Sequence, residues 1–444
     1  MRKKIAAVPL ISMLIAAFFW STALAAGDQE SPSLESLART VLTGGPDEAA
    51  EAEATLREAG PAGMDAMLAA GASGDVLDRV CGVHDCADIR LFWYTDLEAA
   101  KAAARASGKP ILSLRLMGKL DEEFSCANSR FFRTVFYNNR AINALLRDRF
   151  ILHWRSVRPV PRVTIDFGDG SRVERTLTGN SIHYILDSRG RLVEAFPGLY
   201  GPKEFQAALE EAAQQARSAE RIDDAQFADW LRTLSELRLT ERASMLARER
   251  ARATRDPGAA LPSTGILLGR PTISADPTSS KSSSEAPTLW MITNRGRPRA
   301  RQAAPKPAAA PSMPPLLSNV TDDLLATLGE IHRDGVHLDA ASRAFLLRKQ
   351  GVTDPQAGDR LVDSFEKTVA LDEVIDDYRT GPAILVKLSD PATLKDFDLE
   401  DFNLWVYEQV FRTPLSDPWL GLAPDDVYGA LPAAARTEAP RPTG

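Results

Sequence analysis

The sequence lacks an excess of positive charge. It has 53 lysine and arginine residues against 60 aspartate and glutamate residues, so its formal net charge is -7 at pH 7. Proteins that bind nucleic acid through its phosphates present a net basic surface. We therefore expect no nucleic acid among the principal partners, and the charge balance identifies no other ligand class.

Motifs that identify several enzyme classes are also missing. The chain has no phosphate-binding loop, no G-x-S-x-G nucleophile elbow and no H-E-x-x-H metal signature. The acidic stretch from Asp396 to Asp401 does not fit a calcium loop, because Asp401 stands where an EF-hand needs glycine. The sequence therefore predicts no bound cofactor and no metal.

Other acidic residues and the histidines are predicted to be structural or solvated. His153 and His183 lie in strand patterns, and His332 and His337 are spaced poorly for one helix face. Charged residues that recur along a helix are usually solvated. On that basis we predict an exposed helix face formed by Glu366, Asp372, Glu373, Asp376 and Asp377.

Only the first residues form a long apolar run. Basic residues 2–4 precede an apolar stretch from Ile5 to about Trp20, and the small residues Ala23-Leu24-Ala25 follow. This pattern predicts that residues 1–26 are a signal peptide and that the protein is exported, to the periplasm or the extracellular space. A retained signal anchor is the alternative, because the run is nearly long enough to span a bilayer. The protein would contact a membrane only in that case.

The chain has only three cysteines, at Cys81, Cys86 and Cys126. An exported protein keeps disulfides, and an odd count leaves one thiol over. We expect a local disulfide between Cys81 and Cys86. Two alternatives are that one of this pair is the resolving thiol for Cys126, or that Cys81, His84 and Cys86 bind a metal through three ligands at an unusual spacing.

Residues 90–218 alternate strand and helix signals. An Ala-rich helix ending at Gly108 is followed by an apolar strand at 111–116 and a helix from about Cys126 to Tyr137. Further strands are predicted at 150–154, 182–186 and 192–196, with a hairpin around Gly168-Asp169-Gly170 and a last helix at 202–219. This order predicts an α/β domain with a central mixed sheet flanked by helices.

The rest of the chain is predicted to be helical or disordered. Residues 27–89 form a small helical segment and residues 219–255 a charged helix. Residues 256–315 are rich in proline, serine and alanine, which predicts a disordered linker. Residues 316–432 are predicted to form a separate C-terminal all-α domain, and residues 433–444 a disordered tail.

Cys126 has the sequence context of a reactive thiol. It lies where a strand has ended and a helix begins, and the positive end of a helix favours the thiolate. The thiolate is the nucleophile of disulfide exchange. Acidic residues 121–123 oppose thiolate formation, whereas Arg130 and Arg133 offset them.

The residues around this cysteine resemble the thioredoxin superfamily, and exported members in particular. The resemblance is carried by Lys109 to Leu112, by Cys126 to Ser129 and by Phe150-Ile151, with a later hairpin from Ile185 to Gly198 and a helix from Pro202 to Ala213. It implies a thioredoxin fold and a nucleophilic role for Cys126.

The active-site motif nevertheless departs from that family. Ser129 stands where the resolving cysteine belongs, Ser125 replaces the usual tryptophan, and Ser181 occupies the position equivalent to the cis-proline. A dithiol enzyme needs its second thiol to leave a mixed disulfide, so Cys126 and Ser129 alone do not make a disulfide reductase.

Two functions follow as hypotheses. The first is monothiol disulfide exchange or isomerisation through Cys126, with Ser129 donating at most a hydrogen bond to the sulfur and exported protein thiols or disulfides as partners. The second is a non-catalytic envelope binding or scaffold protein. An accessible sulfur at Cys126 favours the first hypothesis and a buried one the second. No oligomeric state follows from the sequence.

Overall fold

The structure is a computed structural model, and it describes residues 32–176, 180–255 and 313–416. The predicted signal peptide and the predicted tail lie outside the described residues, as does nearly all of the predicted linker. Within the described ranges, no helix combines the length and the apolar character needed to cross a bilayer.

Five helices precede the sheet: α1 (Leu34–Thr43), α2 (Pro46–Glu58), α3 (Pro61–Ala69), α4 (Asp75–Cys81) and α5 (Cys86–Ile89). Prolines begin α2 and α3. Proline has no N–H, but at the first position of a helix the N–H has no partner within the helix, so no hydrogen bond is lost. A Cβ on Gly63 would lie 1.9 Å from the Leu56 carbonyl oxygen, so glycine is what allows α3 to approach α2 this closely.

The next segment contains seven strands: β1 (Trp93–Tyr94), β2 (Ile111–Met117), β3 (Ile151–Arg158), β4 (Arg162–Asp166), β5 (Arg172–Thr176), β6 (Ile182–Leu186) and β7 (Leu192–Pro197). Five of them form one sheet in the order β1-β3-β2-β6-β7, while β4 and β5 form a separate antiparallel hairpin. Strands β1, β3 and β2 are parallel, and β6 and β7 are antiparallel to their neighbours. The sheet is therefore mixed, as predicted.

The central strand β2 is buried along its whole length. Strands that are covered on both faces have near-continuous apolar sequences, which is the pattern of this segment. Ser113 and Arg115 depart from this pattern, and the charged side chain of Arg115 is fully buried in the middle of the strand.

Helices accompany these strands: α6 (Leu97–Ser107), α7 (Ala127–Phe131), α8 (Arg140–Arg149), α9 (Pro202–Ala219) and α10 (Asp224–Arg255). Helix α6 ends at Gly108, whose φ of +68° suits glycine and terminates the helix. The helix predicted from about Cys126 to Tyr137 begins after Cys126, which is its N-cap, and its second half is a π-helical turn (Phe132–Phe136).

The C-terminal region is helical, in agreement with the prediction. It contains α11 (Pro315–Ser318), α12 (Asp322–His332), α13 (Ala340–Lys349), α14 (Pro355–Ile375), α15 (Gly381–Leu388), α16 (Pro391–Lys395) and α17 (Leu399–Trp405). Two π-helical turns, Asp376–Thr380 and Val406–Val410, continue α14 and α17.

These C-terminal helices share an apolar core with the sheet region. Val369, Phe402 and Phe411 belong to the same cluster of buried residues as the strands. The ring of Phe131, in α7, stacks on that of Phe365, in α14, with centroids 4.9 Å apart. The sequence-based boundaries between segments remain predictions, but the apolar contacts continue across them.

The prediction of a solvated acidic face on α14 is wrong. The five carboxylates predicted to be exposed are all at least 92% buried: Glu366, Asp372, Glu373, Asp376 and Asp377. Burial of carboxylates requires hydrogen-bonding or charged partners. Here those partners come from distant segments, such as the backbone N–H groups of Leu199, Gly201 and Leu338.

Candidate functional site

Cys126 lies at the end of the loop that leaves β2. Its backbone N–H donates a 3.0 Å hydrogen bond to the Met117 carbonyl, which closes the loop, and Gly118 begins the loop with a φ of +77°. Cys126 is the N-cap of α7 but its side chain makes no capping hydrogen bond. The residue is completely buried, with 0% of its surface exposed.

The structure brings Ser129 and Ser125 next to this thiol. The Cys126 Sγ lies 3.4 Å from Ser129 Oγ, while Ser129 Oγ is 2.7 Å from both the Cys126 carbonyl oxygen and Ser125 Oγ. Because the single hydroxyl proton of Ser129 has these two closer acceptors, its oxygen is left to accept a hydrogen bond from the thiol. Ser129 therefore does not act as a donor to the sulfur.

A buried cation lies beside the same group. The side chain of Arg133 is 98% buried, and its Nη2 donates to the Glu123 carbonyl and to Ser125 Oγ at 3.2 and 3.3 Å. Among the described residues its Nε and Nη1 have no hydrogen-bond partner. Burial lowers the pKa of Arg133, and attraction to nearby acids and to Cys126 opposes that effect.

Cys81 and Cys86 are joined by a disulfide, with their Cα atoms 6.3 Å apart. In this state neither sulfur is a free metal ligand, and neither is a free resolving thiol for Cys126. The backbone N–H of Cys86 donates to Asp78 Oδ1 at 2.9 Å, which holds the short loop between the two cysteines against α4.

His84 lies in the loop that the Cys81–Cys86 disulfide closes. It connects this loop to the loop that precedes Cys126. Its Nδ1 lies 2.7 Å from Asp78 Oδ2, and its Nε2 lies 2.7 Å from Glu123 Oε2. Hydrogen bonds to Asp78 and then to Glu123 raise the pKa of His84 to about 9. Lys349, from α13, adds a 3.2 Å ion pair to Glu123. A C-terminal residue therefore contributes to this network.

Ser181 is buried at the start of β6, and its carbonyl accepts a 2.9 Å hydrogen bond from the Gly198 N–H. Its hydroxyl has no hydrogen-bond partner among the described residues, and none of their peptide bonds is cis. The preceding carbonyl, that of Asn180, accepts a 2.9 Å hydrogen bond from the Tyr407 hydroxyl. Burial, and then the proximity of Cys126, raise the pKa of the Tyr407 hydroxyl. One C-terminal tyrosine is thus a neighbour of both predicted site segments.

Two further hydrogen bonds hold the α17 segment on the sheet. Arg115 Nη2 lies 2.7 Å from Glu400 Oε1, and the Tyr184 hydroxyl donates to Asn403 Oδ1 at 3.1 Å. Arg115 is not among the site residues that the sequence predicts. A charged residue inside the apolar strand at 111–116 was the signal that could have identified it, since a buried arginine requires a partner.

His153 and His183 lie in the sheet with buried hydroxyl partners. His153 Nδ1 is 2.7 Å from Ser113 Oγ, and His183 Nε2 is 3.2 Å from the Tyr137 hydroxyl. Burial lowers the pKa of each histidine to about 3, so both are neutral at physiological pH. These contacts agree with the structural role that the sequence predicts for them.

Comparison with models of protein families, with curated proteins and with solved structures finds no match to this chain. The resemblance to the thioredoxin superfamily therefore remains an expectation based on the residues quoted above. Function has to be argued from the geometry and chemistry of the site itself.

Proposed function

We propose that this protein is an exported thioredoxin-fold protein that acts as a binding or scaffold protein, and not as a thiol-disulfide enzyme. The observation that carries the proposal is the complete burial of Cys126. Disulfide exchange requires a thiolate that can reach the sulfur of a partner, so a sulfur without solvent contact is unsuited to it.

The order of elements supports a thioredoxin fold. A parallel strand, β2, leads through a loop to Cys126 and α7, and the chain then returns through the parallel strand β3. The antiparallel pair β6–β7 and the helix α9 follow. This is the layout that the resemblance implies. Export rests on the signal-peptide pattern at residues 1–26.

The contacts of the thiol support a non-catalytic role. Ser129 accepts a hydrogen bond from the Cys126 thiol instead of donating one to its sulfur. The side chain of Tyr407 donates to the Asn180 carbonyl at 2.9 Å and lies 3.4 Å from the Arg115 carbonyl. A C-terminal residue is therefore bonded to the backbone next to Ser181 and lies near β2, which precedes the loop of Cys126.

Monothiol exchange through Cys126 is the second candidate, and Arg133 favours it. Its buried guanidinium has two unpartnered nitrogens and donates to Ser125, which is also bonded to Ser129 beside the thiol, and reactive cysteines are typically found next to such cations. This function requires that the C-terminal segment move away and expose the sulfur, since a buried thiolate cannot attack a protein disulfide.

Alkylation of Cys126, followed by mass mapping, tests the proposal. We expect alkylation in the native protein to be slower than in urea-unfolded protein by on the order of 100-fold or more, because exposing a core residue needs an opening of at least ~3 kcal/mol. The unfolded protein is the matched control for intrinsic reactivity. Equal rates in the two states, or an apparent pKa well below the ordinary value of about 8.5, would contradict it and support monothiol exchange.

A further inference from the structure

Three potential metal ligands meet where α12, α14 and α10 come together. They are His332, at the end of α12, Glu373, in α14, and Asp377, in the π-helical turn that continues α14. One donor atom from each lies within 4.8 Å of the donor atoms of the other two. A single ion can therefore contact all three after small side-chain adjustments.

The strongest indication of a ligand is an unpartnered oxygen on Asp377. Its side chain is 99% buried, and its Oδ1 accepts a 2.6 Å hydrogen bond from Arg242 Nη1. Its Oδ2 has no hydrogen-bond partner within the described ranges. A buried carboxylate oxygen without a partner is costly, and an unplaced ion is one of the standard reasons for such an atom.

The charge of the cluster points to a cation. Two basic side chains are present, since Arg242 is always charged and His332 is hydrogen-bonded to carboxylates at both ring nitrogens, at 2.7 and 3.0 Å. Four carboxylates surround them: Glu204, Glu249, Glu373 and Asp377. Because carboxylates outnumber basic side chains here, the cluster suits a cation better than an anion.

We propose that this cluster binds one divalent transition-metal ion through Asp377, Glu373 and His332. Imidazole nitrogen combined with carboxylate oxygen is a donor set for zinc and neighbouring first-row ions. The proton now shared by His332 Nδ1 and Glu373 Oε1 leaves to solvent as the ion binds. The partly exposed side chains of Glu249 and His332 form the solvent side of the site.

The position of the site suggests that the ion joins two parts of the fold. Glu373 Oε2 accepts a 2.6 Å hydrogen bond from the Gly201 N–H, at the start of α9, and Asp376 Oδ2 accepts one of 2.8 Å from the Leu199 N–H. Helix α14 is thereby tied to the chain that follows β7. An ion on Glu373 would add to this link between the C-terminal helices and the sheet region.

Zinc binding by the purified full chain, stripped with EDTA, tests the site. We expect one Zn²⁺ per chain by calorimetry and elemental analysis. Asp377→Asn and Glu373→Gln should each weaken binding by at least about 100-fold, since even outer-shell changes cost 10–100-fold. Asp363→Asn is the matched control, because Asp363 lies on the same helix but is partly exposed and paired with Arg333 and Lys367.

X-ray absorption identifies the donors independently of any variant. We expect nitrogen and oxygen at about 2.0–2.2 Å and no sulfur at about 2.3 Å, which separates this site from binding at Cys126. His84→Gln should leave binding unchanged, since it alters the other cluster of histidine and acids. If Asp377→Asn does not fold, His332→Gln replaces it. Absence of zinc binding, sulfur in the first shell, or full binding by folded ligand variants would overturn the proposal.

Discussion

Arg115 and Glu400 form an ion pair of 2.7 Å although 285 positions separate them in the sequence. The guanidinium is fully buried in β2, whereas the carboxylate belongs to α17 and is partly exposed. A buried charge that loses its partner is strongly destabilising. The stability of the sheet therefore depends on the contact between the C-terminal helices and β2.

Glu400→Ala is predicted to destabilise the protein by about 2 kcal/mol, the range for a hydrogen bond to a charged group. Glu400 has a second partner, Arg155, whose Nη1 lies 3.2 Å away. Arg155 is exposed, so the loss of this second contact should contribute less to the destabilisation. Urea unfolding measures the change. Glu408→Ala, an exposed change in the π-helical turn after α17, is the control and should have little effect. Equal stabilities for the two variants would show that the ion pair does not hold α17.

Tyr407 is predicted to protect Cys126 from alkylation. Tyr407→Ala should speed native-state alkylation by on the order of 100-fold, because truncating a buried aromatic costs ~3 kcal/mol, and the increase should exceed that of an equally destabilising truncation elsewhere in the core. Tyr407→Phe keeps the ring and should leave alkylation slow.

General loss of stability is a competing explanation for faster alkylation. Leu56→Ala is the control, since it creates a cavity among the N-terminal helices without changing Tyr407. If Leu56→Ala speeds alkylation as much as Tyr407→Ala does, the protection is global and Tyr407 is not a specific cover.

Ser129→Cys is predicted to create no disulfide reductase. The new sulfur would lie close to Cys126, since the present Sγ–Oγ distance is 3.4 Å, and would restore the spacing of a dithiol motif. The pair would still be buried, so we expect no gain in insulin reduction over the parent protein. Combining it with Tyr407→Ala tests whether exposure is the missing requirement. A gain in activity by Ser129→Cys alone would contradict the binding proposal.

Much of the sheet region could be predicted because its signals are local. The apolar run of β2 identifies that strand, and the glycine after α6 identifies the end of that helix. Each signal is contained in a few neighbouring residues of the sequence. The proximity of Cys126 and Ser129 follows in the same way, from their spacing at a helix start.

The environment of those residues could not be predicted, because it comes from distant segments. Tyr407 lies far along the chain from Asn180, and no periodicity in either segment indicates the hydrogen bond between them. The acidic residues of α14 have the spacing of a solvated face, but Arg242, His332 and the Gly201 N–H cover them. Sequence patterns report the amphipathic character of a helix, and only the tertiary fold supplies partners for its charges.

His84 is predicted to make the free energy of unfolding of the protein depend on pH. His84 has a pKa raised to about 9 in the folded protein, above its ordinary 6.5, by hydrogen bonds to Asp78 and Glu123. Asp85 adds to this effect and Arg133 opposes it. Because the folded state binds the proton more tightly, the contribution of His84 is complete below pH 6.5 and is lost as the pH rises through about 9.

His84→Gln removes this titration, so the difference in unfolding free energy between parent and variant should shrink as the pH rises from 6.5 to 9. Urea unfolding at several pH values within that window measures it. His337→Gln is the control, because His337 pairs with Glu366 but its side chain is 64% exposed, where an ion pair contributes little. A difference for His84→Gln that stays constant or grows with pH would mean that the imidazole is neutral between Asp78 and Glu123. The loops of the disulfide and of Cys126 would then be joined by ordinary hydrogen bonds and not by a charged bridge.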